Sequence, residues 1–461
     1  MRTLLARCSL IASLALLALP ACAGAALPVT GRGLDHAFHG GSVQLPFRGP
    51  GPDQNSASCV ATPSGGTFVY SSSGKYVYDD TQSYPYMKVK QNYLYSYDRR
   101  GQLIKRFAQG GIALLGSDPI DRPIQIESDS RGRVLVLSVA RARKSKHTLY
   151  VLRRLTKRGL TDHSFAHGGV KRTVASVDPE IGFTQLPSGQ LVVQEYRRIK
   201  SKVSTTIRVF GHDGTPDETF GDHGSVRVAQ QVDKVQSLPG GELALAGTVY
   251  EEVDEAMPVR ISVLTRSGMP ATAWGDKGTI RIWQPPAGVQ KQIEHNVSPV
   301  DGGAWTKYVY AVGIARARHH GLTVALAATH DEGASRWFAT FRRGEPGIIE
   351  SASHYLSDAS AADGLTDAEY DEHWDLPDPR GGWIDVGYEY TGNSGLWTTR
   401  VSSAGKTVRT SGRDYNFLGD TEVATVSLVP GTRQIVGCGL LRAEVRKKVD
   451  TRAFAFKLRL K

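Results

Sequence analysis

One repeated motif constrains this chain more than any other feature of its sequence. Gly101…Phe107…Gly111 returns as Gly159…Phe165…Gly169, as Gly214…Phe220…Gly224 and as Gly268…Trp274…Gly278. In each copy one glycine stands six residues before the aromatic and another stands four after it. Asp162 and Asp217 sit three before their aromatics. The copies follow one another at about 55 residues, the kind of fixed period that marks repeat architectures. A unit of that length cannot bury its apolar faces alone, so neighbouring units must cover one another.

A second pattern precedes each copy: a short polar turn, then an apolar run. Pro63-Ser64-Gly65-Gly66 leads into Thr67–Tyr70, Ser130-Arg131-Gly132-Arg133 into Val134–Val139, Pro187-Ser188-Gly189-Gln190 into Leu191–Val193, and Pro239-Gly240-Gly241-Glu242 into Leu243–Ala246. Glycine in such turns supplies the positive φ of tight β-hairpins. A further apolar run follows, as at Thr148–Leu152 or Thr206–Phe210, and a last one follows the second glycine, as at Val170–Val174 or Ser225–Val228. Each unit therefore reads as four antiparallel strands whose central pair is apolar on both faces.

The second half of the chain is more diverged. A fifth unit spans Tyr310–Tyr355, and a sixth spans Trp374–Phe417 with the turn Pro379-Arg380-Gly381-Gly382. The seventh has Val426–Val429, Gln434–Gly437 and Ala453–Leu458, and stops after three strands. The fourth lies at the other end of the chain, where Leu34-Asp35-His36-Ala37-Phe38-His39-Gly40-Gly41-Ser42-Val43 repeats the motif with one residue lost after the aromatic. The expected fold is all-β, a seven-bladed β-propeller whose N-terminal strand completes the last blade and so removes an exposed edge. An open or two-domain β array is the alternative. Residues 27–461 are expected to form a single domain of about seven blades.

The N-terminus addresses the chain for export. Arg2 and Arg7 flank the start of an apolar run from Leu10 to Leu19, too short to span a bilayer, and small residues follow. Residues 1–25 read as a signal peptide. Two cleavage readings compete: Ala23-Gly24-Ala25 suits an ordinary signal peptidase, whereas Leu19-Pro20-Ala21-Cys22 resembles a lipobox and would put a lipid on Cys22. Either cut leaves Cys59 and Cys438, an even pair in an oxidising compartment, and a disulfide between them is expected at one rim of the first and last blades. Two buried free thiols are the alternative.

The formal net charge of +11 suits an anionic partner such as a cell-wall polymer, acidic glycan or lipid headgroup, and equally suits a soluble basic protein with none. Charge gathers in the loops between second and third strands: Arg141, Arg143, Lys144 and Lys146 in blade two; Arg197, Arg198, Lys200 and Lys202 in blade three; Arg442, Arg446, Lys447 and Lys448 in blade seven. Blade four carries Glu251, Glu252, Asp254 and Glu255 instead, and blade one crowds Tyr76, Tyr78, Tyr84, Tyr86, Tyr93 and Tyr95 there with Asp79 and Asp80. These loops are candidate contacts to an anionic polymer, a glycan or an envelope protein, and they also read as ordinary solvated hairpins. Nucleic acid does not fit, because no aromatics interleave with the basic runs. The cluster most like a site joins His330, Asp331 and Glu332 of blade five to Asp371, Glu372, His373, Trp374 and Asp375 of the next link. Its carboxylates and imidazoles are candidates for a divalent cation (Asp331, Glu332, Asp375) or for acid/base work (His330, Asp371, Glu372, His373), with Trp374 as a binding face. It also reads as a solvated acidic loop. No organic cofactor is expected, and no serine-hydrolase elbow, zinc-protease motif or phosphate loop occurs.

The Gly-x-x-Asp-x-x-Phe-Gly-x-x-Gly pattern after a Pro-x-Gly turn resembles the bacterial delta-60 repeat. Asp213-Gly214-Thr215-Pro216-Asp217-Glu218-Thr219-Phe220-Gly221 carries the resemblance best. It covers the N-terminal strand and blades one to four, and the remainder poorly. It implies a propeller-like, mostly extracytoplasmic protein and implies no activity. A monomer is expected. Two functions follow: a non-catalytic binding or scaffold propeller of the cell envelope, or a polysaccharide-directed hydrolase or lyase on the same scaffold.

Overall fold

The computed structural model describes residues 29–31, 34–39, 42–46, 53–77, 86–116, 122–141, 148–166, 168–175, 181–199, 202–249, 258–282, 308–317, 321–330, 333–345, 350–354, 372–378, 382–389, 395–401, 407–417, 420–445 and 448–460. Among these the protein is all-β, built from successive four-stranded antiparallel sheets, one of which gains a fifth strand. No helix among them is long and apolar enough to cross a membrane.

The strands follow the repeat. Sheet one runs Asp53–Ala61, Thr67–Val77, Tyr86–Tyr97 and Ile112–Gly116. Sheet two runs Arg122–Ser128, Val134–Arg141, Thr148–Leu155 and Val170–Ala175. Sheet three runs Ile181–Gln185, Leu191–Ile199, Lys202–Phe210 and Ser225–Val228. Sheet four runs Lys234–Ser237, Leu243–Thr248, Val259–Leu264 and Thr279–Ile282. Sheet five runs Tyr308–Arg316, Leu322–His330, Gly333–Phe341 and Glu350–His354. Sheet six runs Glu372–Pro377, Trp383–Glu389, Gly395–Val401 and Thr407–Phe417. Sheet seven takes Asp420–Leu428, Gln434–Val445 and Lys448–Arg459 from the C-terminus. Leu243–Thr248 is buried at every position, as a strand covered on both faces must be.

The fourth strand of sheet seven is Ser42–Gln44, paired antiparallel with the last strand in the register Ser42↔Phe456, Val43↔Ala455, Gln44↔Phe454. The segment before it docks as the internal copies do. The Asp35 amide donates to the Lys457 carbonyl at 2.9 Å, matching Asp162 to Arg154, Asp217 to Val209 and Ala271 to Val263. Unlike the sequence reading, Val29–Gly31 is also a strand, and it pairs with Thr407–Phe417 as the fifth strand of sheet six.

The motif explains itself at the junctions between sheets. Phe38, Phe107 and Phe165 each pack on the first glycine of the next copy, whereas Gly268 meets Val226 and Gly221. A Cβ on Gly159 would lie 2.9 Å from the Phe107 ring, and one on Gly214 would lie 2.7 Å from the Phe165 ring, so only a bare Cα fits. The residue after the aromatic then donates its amide across the junction: His39 to Arg100, Ala108 to Arg158, Ala166 to Asp213 and Gly221 to Ser267, at 2.6–2.9 Å. That residue has positive φ whether or not it is glycine, at 43° for His39, 41° for Ala108 and 48° for Ala166.

Apolar clusters fill the junctions in sequence order. Phe68, Phe107 and Val136 join sheets one and two. Leu137, Phe165 and Phe183 join two and three. Val209, Phe220 and Leu245 join three and four. Ile261, Trp274, Val324 and Trp337 join four and five within the largest such cluster. Phe338 and Trp383 stack at 6.0 Å between five and six. Val386, Val423 and Phe454 join six and seven. Phe38, Cys59, Tyr95, Cys438 and Ala455 join seven back to one.

Candidate functional site

The structure places the residues singled out by sequence in three ways. Cys22, Arg143, Lys144, Lys146, Lys200, Asp331, Glu332 and Asp371 lie outside the described residues. Arg141, Lys202 and His330 sit at strand ends beside their hairpins, with His330 paired to Gly333. Glu372, His373, Trp374 and Asp375 form the start of the first strand of sheet six, opposite Tyr388, Gly387, Val386 and Asp385. These segments are β-ladder rather than loop: polar runs at strand ends lengthen the hairpins beyond their apolar cores. Among the described residues no group of three or more His, Cys, Asp or Glu side chains is placed to hold a metal ion.

Arg197 and Arg198 also lie within a strand, Leu191–Ile199. Arg197 pairs with buried Glu195 at 2.5 Å, and Arg208 holds the other carboxylate oxygen at 2.5 Å. Burial pushes the Glu195 carboxyl up, but hydrogen bonds from Arg197 and Arg208 outweigh it and hold the group below its ordinary value. Arg197 is therefore engaged within its own sheet, whereas Arg198 is exposed.

The sequence pattern places Cys59 and Cys438 at a rim. They lie instead within long strands, buried in the core between sheets seven and one. The rim placement fails because Gln434–Val445 runs far past the short apolar stretch that the sequence marks.

The site that sequence reasoning missed is a cavity of about 470 Å³ at this same junction, on the edge that carries the turns between first and second strands. Sheet one contributes Pro63, Ser64, Gly65, Arg99 and Arg100. Sheet seven contributes Val429, Thr432, Gln434, Lys457 and Arg459, and the docked N-terminal segment contributes Asp35 and Ala37. Four cationic residues and one acidic residue thus line it. Asp35 is buried and accepts from Arg459 at 3.0 Å, from Gln434 Nε2 at 3.3 Å and from the Ala37 amide at 3.2 Å. Lys457 is only 2% exposed, its Nζ donating to the Gly65 carbonyl at 2.8 Å and lying 4.0 Å from Asp35. Burial lowers the Lys457 pKa, and Arg459 and Arg99 lower it further, against the opposing pull of Asp35 and Asp98.

A sequence signal for this cavity existed. Lys457 stands where sheet two has Arg154, the residue whose carbonyl receives the amide of the motif aspartate. Arg154 bonds Asp162 at 2.7 Å, Ser164 at 3.2 Å and the His212 carbonyl of the next sheet. Its wide guanidinium bridges the junction there. The shorter ammonium of Lys457 reaches one turn carbonyl and leaves space above it.

A second polar feature joins sheets two and three. Gln125 exchanges hydrogen bonds with the backbone of Phe183, at 2.6 and 3.0 Å, and Glu127 accepts from the Gln185 amide at 2.7 Å. Burial pushes the Glu127 carboxyl up to about 7, with the bonds from Gln185 and Gln125 opposing the shift.

No family model matches the chain. No curated protein matches it. Among solved structures, an α-L-arabinanase of Penicillium chrysogenum complexed with arabinobiose aligns at 10% identity over 73% of this chain and 93% of that one, with a TM-score of 0.37. The Nup133 β-propeller domain of Vanderwaltozyma polyspora aligns at 9% identity over 84% and 97%, with a TM-score of 0.36. A GH93 α-L-arabinofuranosidase of Fusarium graminearum with arabinobiose aligns at 11% identity over 73% and 92%, with a TM-score of 0.37. Similarities at this level transfer neither fold nor activity to this chain.

Proposed function

We propose that the sheets close into one ring, a seven-bladed β-propeller, and that the protein is an exported, non-catalytic binding or scaffold propeller of the cell envelope. The apolar clusters that join each sheet to the next, and the last to the first, support the ring. Export rests on the leader-like first 25 residues.

The ligand site is the cavity at the seam, and its ligand is an acidic glycan. The observation that carries this reading is the lining itself, in which Arg99, Arg100, Lys457 and Arg459 stand with a single acidic residue, Asp35. The volume falls within the roughly 300–1,000 Å³ of small-ligand sites. Guanidinium groups match a carboxylate or sulfate with paired donors, and Ser64, Thr432 and Gln434 add neutral groups that suit sugar hydroxyls.

Calorimetric titration with an oligogalacturonate and with a neutral oligosaccharide of the same length tests this. The acidic ligand binds and the neutral one does not, and raising salt from about 50 to about 500 mM weakens binding. The double variant Arg99→Ala, Arg100→Ala changes two exposed side chains and lowers affinity by about 10-fold or more. Equal binding of both ligands, or affinity unmoved by the variant and by salt, contradicts the proposal.

A further inference from the structure

Cys59 and Cys438 sit at the junction between sheet one and sheet seven. Cys59 belongs to the first strand of sheet one, and its Sγ donates to the Thr425 carbonyl at 3.4 Å, across 366 residues of chain. Thr425 is the cross-strand partner of Cys438 in sheet seven. The two cysteines share a core cluster between sheets one and seven. Neither is accessible: Cys59 is 2% exposed and Cys438 is 0% exposed.

We infer that Cys59 and Cys438 form a disulfide that locks sheet one to sheet seven, and that it forms during folding, before the seam seals. The chemistry is thiol–disulfide exchange with a small-molecule or protein disulfide. One cysteine thiolate attacks the oxidant's disulfide, releasing one thiol and forming a mixed disulfide. The second cysteine then attacks its partner's sulfur, the S–S bond forms between Cys59 and Cys438, and the oxidant leaves as its second thiol. The two cysteine sulfurs are oxidised by two electrons, and the two protons end on the oxidant's thiols.

The order of events follows from burial. Exchange requires a thiolate, and burial raises the Cys59 thiol well above its ordinary value, with the neighbouring Cys438 adding to the shift. In the sealed, reduced protein the pair is inert. In the unfolded or half-closed chain both thiols are ordinary and reachable, and once joined they are shielded from reductants by the same packing. This inference stands apart from the glycan reading: the seam could be locked with no ligand above it, or unlocked with one.

The test uses the full chain, reduced and unfolded in guanidinium, then refolded in a mixture of oxidised and reduced glutathione. A parallel sample is exported through a bacterial periplasm and never unfolded. Both are blocked with iodoacetamide and digested without reduction, and mass spectrometry reads the cysteine peptides, which separates this pair from Cys8 and Cys22. The expected product is the Cys59 peptide joined to the Cys438 peptide in both samples. Native reduced protein given the same glutathione mixture without unfolding stays unjoined at least about 10-fold longer. Recovery of Cys59 and Cys438 as singly alkylated peptides, or as separate mixed disulfides, overturns the inference. The double variant Cys59→Ser, Cys438→Ser provides an independent readout. Reductant lowers the guanidinium midpoint of the parent and leaves that of the variant unmoved; an equal response of the two overturns the lock.

Discussion

At the scale of single residues, the junctions depend on a few groups that cannot be exchanged for their neighbours in the amino-acid table. Gly214 holds φ at +82° and meets the Phe165 ring, so Gly214→Ala adds left-handed strain and an overlap, costing about 3 kcal/mol. Gly132 shares the positive φ, at +73°, but has nothing within 4 Å of its missing Cβ. Gly132→Ala therefore costs about 1 kcal/mol. Denaturant midpoints of the two variants separate packing from backbone strain, and equal losses would show that the ring contact contributes nothing.

Glu127 gives the fold a pH dependence of definite sign. Its carboxyl rises from the ordinary 4.5 to about 7 on folding, so the folded protein holds the extra proton in that window. The stability it contributes is fully present below pH 4.5, falls as pH rises, and is gone above about 7, a change of up to about 3 kcal/mol. Glu127→Gln removes this slope. Urea midpoints at pH 5 and pH 8 measure it as the difference between parent and variant, and parallel profiles would refute the assignment.

At the scale of elements, much is legible because the repeat is local. Turn glycines and apolar runs mark the strands of sheets one to four. Leu34–Val43 is recognisable as a detached copy of the motif, and Ser42–Gln44 does complete sheet seven. What stays hidden depends on residues brought together from distant units. Asp35 and Lys457 meet only after the ends of the chain meet, and the one local trace of a cavity is a lysine where sheet two has Arg154. The extra strand Val29–Gly31 escapes the sequence pattern because three residues carry no alternation to read. Charge density draws attention to the long hairpins, although Arg197 proves to be committed to Glu195.

The N-terminal strand carries a prediction of its own. Removing residues 29–46 bares the Lys448–Arg459 edge, and with it the Phe38 and Leu45 contacts that are buried at the seam. Losing a buried phenylalanine alone costs about 3–5 kcal/mol. The truncated protein unfolds at lower denaturant and self-associates through the open edge, as light scattering and denaturation report. A truncated chain as stable and monomeric as the parent would show the strand to be dispensable.

At the scale of the molecule, the proposed ring, the cavity and the proposed cysteine lock all depend on one junction. If sheet one meets sheet seven, the seven sheets have no open end, and the basic cavity exists. If it does not, the cavity and the lock disappear together. Spin labels on ketone-bearing residues in place of exposed Arg99 and Arg459 measure this separation by double electron–electron resonance. Facing sheets pack about 10 Å apart, so the closed ring gives a distance below about 25 Å including the label arms. Sheets one and seven at opposite ends of a line would give about 60 Å, and that distance would contradict the account.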